Sequence, residues 1–294
     1  MTRTNLAAAL LASAIPCAAV TMTAAQSSSG PRPASSAPAA PKPSGERAAG
    51  ETSAALPDGA AVVRRAKEAL GGDAWGRIKS FESSARVKSA MGDARIEYRF
   101  VAPDSFELLQ SMPGCGRAMS MGCAKGAAWI GEAGSERAAD PRMAEEMRDG
   151  GDLHALVRTL SERFSGFRTE ARREEAGRDG APRAVLVVRM RPARGAAPNA
   201  PEWTLLVDEA TGLPHGLEIP APPAPAGSSQ KTFGQSIRFA RWEAVSGTKE
   251  PLRAFREAAV TSGGTKTDIV YEKVAVDALP DGAVQVPAAL GRAR

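Results

Sequence analysis

The chain has 294 residues, of which 43% are hydrophobic and 24% are charged, and these proportions exclude a wholly disordered protein. Two histidines and three cysteines leave too few ligands for the usual Cys/His zinc sites, so we expect no metal. The formal charge of +5 is small for this length and does not support nucleic-acid binding. No phosphate-binding or dinucleotide-binding glycine motif is present, so we expect no cofactor.

The N-terminus has the three parts of a secretory signal. Arg3 precedes an apolar run over residues 6–20, and small residues at 23–25 form a cleavage site. The run is shorter than the about 20 residues that a membrane span needs. We predict a signal peptide over residues 1–25, and a mature protein that is periplasmic or secreted and has no transmembrane segment.

Two other interpretations of the leader stay open. Cys17 raises the alternative of a lipoprotein, although Pro16 stands where a lipidation site has Gly, Ala or Ser. An uncleaved anchor helix is the second alternative. Export is the interpretation that we favour, and it places the mature chain in an oxidising compartment.

The segment after the leader is rich in Pro, Ala and Ser. Residues 26–56 contain no aromatic side chain and cannot bury enough surface to offset the loss of backbone entropy. We therefore predict a disordered linker there. Every Phe, Trp and Tyr lies at or after Trp75, so we predict one folded domain over residues 57–294.

Apolar residues at helical spacing predict two main helices. The first covers residues 60–70, with Asp58 as its N-cap and a pair of glycines after its last residue. The second covers residues 153–164, with Asp152 as its N-cap. A short helical stretch at 143–147 precedes it.

Alternating apolar and polar residues predict many strands. The clearest is 95–100, in which Ile96, Tyr98 and Phe100 face one way and the charged residues face the other. The other predicted strands are 81–90, 106–110, 127–131, 166–174, 183–191, 202–208, 213–219, 236–245, 255–261 and 266–274. Because strands follow strands directly, we predict an antiparallel sheet with helices on one face, in the α+β class.

The sequence contains no recognisable catalytic motif. His154 lies in the second predicted helix, and His215 follows a predicted turn at 208–212. Either could act as a general base, but neither has a nucleophile or carboxylate set near it in the sequence. We therefore interpret both as structural or solvated, and we expect that the protein is not an enzyme.

Cys115 and Cys123 form the one cysteine pair with a plausible role. They flank residues 116–122, a segment rich in Gly and Met that could fold back as a hairpin. Two cysteines at this spacing in an exported protein predict a structural disulfide. Redox catalysis is disfavoured because the spacing is not C-x-x-C.

Four stretches of the chain match a known pattern in their order and spacing. They are residues 66–81, 126–129, 205–214 and 267–277. The third contains the strand, turn and strand with D-x-x-T-G-L-P, which runs from Asp208 to Pro214. Through these four stretches, residues 57–287 resemble a broad, little-characterised branch of the periplasmic outer-membrane lipoprotein carrier (LolA-like) superfamily.

The resemblance implies an incomplete antiparallel β-barrel that is strongly curved, with helices packed on its concave face. In characterised relatives, that face is apolar and holds acyl chains. The chain departs from the carrier in its linker, in a Pro/Ala-rich insertion at 220–230 and in the segment between Cys115 and Cys123. The single arginine that controls the cavity of the carrier has no match that we can assign.

The resemblance therefore predicts a non-enzymatic periplasmic protein that binds lipids or lipoprotein acyl chains. The expected cleft residues are Ile96, Tyr98, Phe100, Trp129, Trp203, Leu205, Val207, Leu156 and Leu160. Any one of these side chains could instead be plain core. An alternative function is a cell-envelope sensor or scaffold that acts through contacts with envelope proteins. A hydrolase is disfavoured because no pair of nucleophile and base can be drawn.

Overall fold

The computed structural model describes residues 55–90, 92–114, 116–140, 152–177, 180–193, 201–221, 232–246 and 248–291. The predicted signal peptide, the predicted linker up to residue 54 and the predicted helix at 143–147 lie outside these ranges. Within them, no helix is both long enough and apolar enough to cross a membrane.

The described residues form one large antiparallel sheet. Its strands are β1 (Ser80–Ser89), β2 (Gly92–Val101), β3 (Ser105–Ser111), β4 (Ala118–Ala124), β5 (Ala127–Glu132), β6 (Arg137–Ala138), β7 (Phe164–Ala176), β8 (Pro182–Pro192), β9 (Trp203–Asp208), β10 (Pro214–Ile219), β11 (Gln235–Ala244), β12 (Arg253–Ser262) and β13 (Thr265–Val276). Their order is β6-β5-β4-β3-β2-β1-β13-β12-β11-β10-β9-β8-β7, so the first and last strands pair in the middle and β6 and β7 form the edges. The sheet is curved and does not close, which confirms the predicted incomplete barrel of the α+β class.

The first helix forms as the sequence predicts. Helix α1 (Gly59–Leu70) begins after Asp58, whose carboxylate accepts a hydrogen bond from the Ala61 N–H at 3.0 Å. The helix ends at Gly71, which has a left-handed φ of 119° that glycine adopts without strain. A short 3₁₀ helix, Gly72–Arg77, leads from there into β1.

The second predicted helix is divided in the structure. Helix α2 (Leu153–Arg158) and helix α3 (Leu160–Arg163) are separated at Thr159, and β7 begins at Phe164. The hydroxyl of Thr159 donates a hydrogen bond to the Ala155 carbonyl at 2.9 Å, an arrangement that bends helices. A last helix, α4 (Ala288–Gly291), was not predicted.

The segment between the two cysteines differs from the prediction. Instead of folding back, it contributes β4, in which Met121 pairs with Leu108 of β3 and with Ile130 of β5. Gly and Ala have weak strand propensity, so the pairing with two neighbouring strands decides the conformation.

The predicted disulfide cannot be read from these residues, because Cys115 lies outside them. Cys123 lies at one end of β4, where it pairs with Phe106. The connection from β3 begins after Ser111, which pairs with Ala118 at the opposite end of β4. A disulfide joins Cα atoms about 4.4–6.8 Å apart. The bridge stays a prediction, and thiol titration of the denatured, unreduced mature protein decides it.

The main apolar core lies between the concave face of the sheet and helices α1 to α3. It includes Phe81 of β1, Leu205 of β9 and Leu160 of α3, each at most 4% exposed. A second, smaller cluster packs Trp129 against Val284 from the C-terminal segment. Each face of the sheet therefore has its own apolar packing.

We predict that Gly122→Ala destabilises the protein because Trp129 crosses directly over this glycine. A Cβ at Gly122 would come within 2.4 Å of both the Trp129 ring and the Phe106 carbonyl oxygen. Overpacking of this kind costs about 1–3 kcal/mol, which urea unfolding measures. Gly76→Ala is the control, since a Cβ there meets nothing within 4 Å. An equal loss of stability in both variants would contradict the close contact.

Candidate functional site

The structure brings all but one of the expected cleft residues to the concave face. Those in the buried core are Tyr98, Leu156, Leu160, Leu205 and Val207, and those packed against it while partly exposed are Ile96, Phe100 and Trp203. In β2 and β9, the alternation of apolar and polar residues in the sequence therefore predicted the same inward face that the structure shows. Whether these side chains bind a ligand is a separate question.

Trp129 is the exception, and it belongs to the opposite face. Its indole N–H donates to the Ser120 hydroxyl at 3.0 Å, and its ring packs with Ala124 and Val284. The next residue, Ile130, is the one that packs against the concave core. The apolar run in β5 has no polar alternation, so periodicity alone gives no basis for choosing between the two faces.

The space between the helices and the sheet is filled by the protein's own side chains. A hollow of about 10 Å³ remains between α1, α2, α3 and β9, at the lower limit for holding one water molecule. Val63, Leu70, Val157 and Leu205 are among its lining residues. An acyl chain is too large for this hollow among the described residues unless the helices move.

The start of helix α2 is held to the sheet by a buried carboxylate. Asp152 is 4% exposed and caps the helix by accepting hydrogen bonds from the N–H groups of His154 and Ala155. Its other oxygen accepts a hydrogen bond from the Ser83 hydroxyl of β1 at 2.7 Å. Burial alone would raise the pKa of Asp152, but the charge of His154 and these hydrogen bonds outweigh it and hold the pKa below its ordinary value.

His154 completes this network. Its Nδ1 lies 3.0 Å from the Asp152 carboxylate and its Nε2 lies 3.0 Å from the Phe255 carbonyl oxygen of β12. Both ring nitrogens therefore lie within hydrogen-bonding distance of an oxygen atom. The ring also stacks on Phe255, with centroids 3.9 Å apart. Neither ring nitrogen remains available to act as a base.

Arg158 is a further inward residue that the sequence did not single out. Its guanidinium carbon lies 5.0 Å from the ring centroid of Trp75 and 5.5 Å from that of Phe81. Its Nε is buried and has no hydrogen-bond partner among the described residues, and burial lowers the pKa of the side chain. The inward position of Arg158 could have been inferred from the sequence, because Arg158 lies one helical turn after His154, beside the apolar stripe of the predicted helix.

Comparison with known proteins supports a likeness of fold. No family model matches the sequence, and no curated protein matches it. The structure is similar to the crystal structure of a DUF1329 family protein from Desulfovibrio piger, with 13% identity and a TM-score of 0.50, covering 79% of this chain and 99% of that one. At 13% identity, this likeness shows the fold alone.

Two other structures are similar over much of the chain. One is a LolA superfamily protein from Nitrosomonas europaea, with 12% identity and a TM-score of 0.46, covering 79% of this chain and 99% of that one. The other is LprF from Mycobacterium bovis, with 11% identity and a TM-score of 0.30, covering 77% of this chain and 95% of that one.

We predict that Asp152→Asn destabilises the protein at neutral pH by about 1–3 kcal/mol, because it replaces the buried carboxylate that the Ser83 hydroxyl and the His154 ring contact. The pKa of Asp152 is lower in the folded than in the unfolded chain, so its stabilising effect is present above the unfolded pKa and is lost as the pH falls through the folded one. The difference between wild type and variant should therefore shrink as the pH falls below about pH 4. Urea unfolding at a series of pH values measures it, and a difference that does not shrink in acid would contradict the stabilising role of the ionised Asp152.

Proposed function

We propose that the protein is an exported, non-enzymatic binder of lipids or of lipoprotein acyl chains. The observation that carries the proposal is an extensive apolar concave face, on a carrier-like fold, that is covered in part by the short helices α2 and α3. The predicted signal peptide supports a periplasmic location. The lack of any catalytic motif in the sequence supports a binding function.

Helices α2 and α3 act as the lid in this proposal. They contain six and four residues, and isolated helices of that length are not stable in water. They are held by packing and by the network of Asp152, His154 and Ser83. An element held in this way can open locally without unfolding of the sheet.

The energetics allow an acyl chain to open the lid. Burial of about ten methylenes contributes roughly 8 kcal/mol before ordering costs, at about 0.8 kcal/mol each. Disruption of a buried ion pair costs about 3–5 kcal/mol. Opening the lid also exposes Leu156 and Leu160, so a long chain, which covers the same part of the sheet, offsets more of this cost than a short chain does.

Arg158 gives this site a charge that fits a fatty acid. The side chain lines the small hollow under the helices, and no carboxylate among the described residues forms an ion pair with it. A guanidinium that is already partly desolvated binds a carboxylate strongly, because water competes little there. The carboxylate of the ligand would lie at Arg158 and its chain along the concave face.

We predict that Ser83→Ala tightens binding of a fluorescent long-chain fatty acid by about ten-fold. Loss of the hydrogen bond to Asp152 destabilises the closed lid, and apparent affinity rises with the open fraction. Asp58→Asn is the matched control, since Asp58 caps α1 rather than a lid helix, and does so through an exposed hydrogen bond. Fluorescence titration measures both dissociation constants. Equal or weaker binding by Ser83→Ala would contradict a lid that closes the site.

The filled concave face also favours a second candidate, an envelope sensor or scaffold that works through protein contacts. In that case the helices never leave the sheet, and the core only supports outer surfaces that bind partner proteins. Saturable fatty-acid uptake separates the two candidates. If neither the wild type nor Ser83→Ala takes up the probe, the scaffold becomes the better account.

A further inference from the structure

A polar cleft of about 520 Å³ lies apart from the lid, where several strand ends and connections meet. It is formed by the turn between β9 and β10, the last part of β11 and the first part of β12, together with the ends of β7 and β8 that face them. Its lining residues are Gly177, Arg183, Asp208, Thr211, Leu213, Pro214, His215, Phe239, Ala240, Arg241, Trp242, Arg253 and Glu257. The volume is in the range of small-molecule sites.

His215 is the feature that points to a ligand. Its ring lines the cleft and is 8% exposed, and its Nε2 is buried with no hydrogen-bond partner among the described residues. An unsatisfied buried polar atom is unfavourable, so native structures seldom keep one without a use. Burial and the charge of Arg238 lower the pKa of His215, so the ring is neutral at pH 7 and carries one N–H.

The charged groups of the cleft favour an anion. The two carboxylates are already engaged: Asp208 accepts two hydrogen bonds from Thr211, and Glu257 accepts one from Arg241. Arg253, by contrast, forms no ion pair with any described residue. The groups that remain available for hydrogen bonding are therefore the cationic Arg253 and the neutral His215 ring.

The other lining residues indicate that the ligand also has an apolar part. Phe239 and Trp242 pack against each other with ring centroids 6.1 Å apart. Pro214 lines both this cleft and the small hollow under the helices, so apolar surface continues between the two. Arg241 has a left-handed φ of 54°, a strained conformation of the kind that is often retained at binding sites.

From these observations we propose that the cleft binds a small amphiphile through its phosphate or carboxylate group. His215 and Arg253 contact the anionic group, and Trp242, Phe239 and Pro214 contact the apolar part. The cleft adjoins the hollow under the helices at Pro214, but it does not require the lid to open. A free inorganic anion shares the same head-group chemistry but lacks the apolar part.

The two histidines of the chain allow a direct test. In protein labelled with ¹⁵N-histidine, the ring nitrogens of His215 report on the cleft and those of His154 report on the lid, with His215→Gln used for assignment. The probes are octyl phosphate, inorganic phosphate and the neutral octyl glucoside. We expect octyl phosphate to shift the His215 signals saturably and inorganic phosphate to shift them only at much higher concentration.

Matched arginine variants complete the experiment. Arg253→Gln should weaken octyl phosphate binding about ten-fold, as expected for loss of one charge-assisted hydrogen bond. Arg137→Gln is the control, because Arg137 is likewise exposed and without an ion pair among the described residues, but lies in β6 at the far edge of the sheet.

Several results would overturn the proposal. If the His215 signals do not move, or if Arg253→Gln binds octyl phosphate with unchanged affinity, the cleft is not the binding site. An equal response to octyl glucoside would show that the anionic group is not recognised. An equal response to inorganic phosphate would show that the apolar part is not recognised. Shifts of His154 alone would assign binding to the concave face, which would overturn this proposal while supporting the lid.

Discussion

The buried contact between the Asp152 carboxylate and the His154 ring is the interaction on which the arrangement of helices and sheet depends. A buried carboxylate and a buried ring are stable only when their hydrogen-bonding positions are used, and here Ser83 and the Phe255 carbonyl supply the further partners. These partners come from β1 and β12, near the middle of the sheet, where the first and last strands of the chain pair. The network therefore fixes the position of a short helix that propensity alone would not stabilise.

The same sheet supports two different environments. On the concave face, apolar side chains from strands and helices fill the space, so access depends on movement of the lid. Near the strand ends around Pro214, the side chains leave a polar cleft that is open without any movement. One environment suits a long apolar chain and the other suits an anionic group. Pro214 lines both, but Arg158 lines the hollow and Arg253 lines the cleft, so each environment can be tested with its own variants.

Much of the fold could be predicted from the sequence, because strong local signals agree with the tertiary structure. Asp58 and Asp152 cap helices as expected, and alternation gave the inward face of β2 and β9. The failures lie where local signals are weak. Strand β4 forms through its neighbours, and Trp129 faces outward in a run without alternation. One partner of His154, Asp152, lies only two residues before it, but the Phe255 carbonyl and the Ser83 hydroxyl that complete the network are distant in sequence, so no spacing could reveal them.

Hydrogen–deuterium exchange of the intact mature protein, with and without a saturating long-chain fatty acid, tests the lid most directly. The account predicts faster exchange of backbone amides in α2 and α3 when the ligand is bound, because the chain replaces these helices on the sheet. Amides in α1 should exchange at an unchanged rate. Saturable binding with unchanged or slower exchange in α2 and α3 would contradict the account, since the ligand would then bind without displacing the lid.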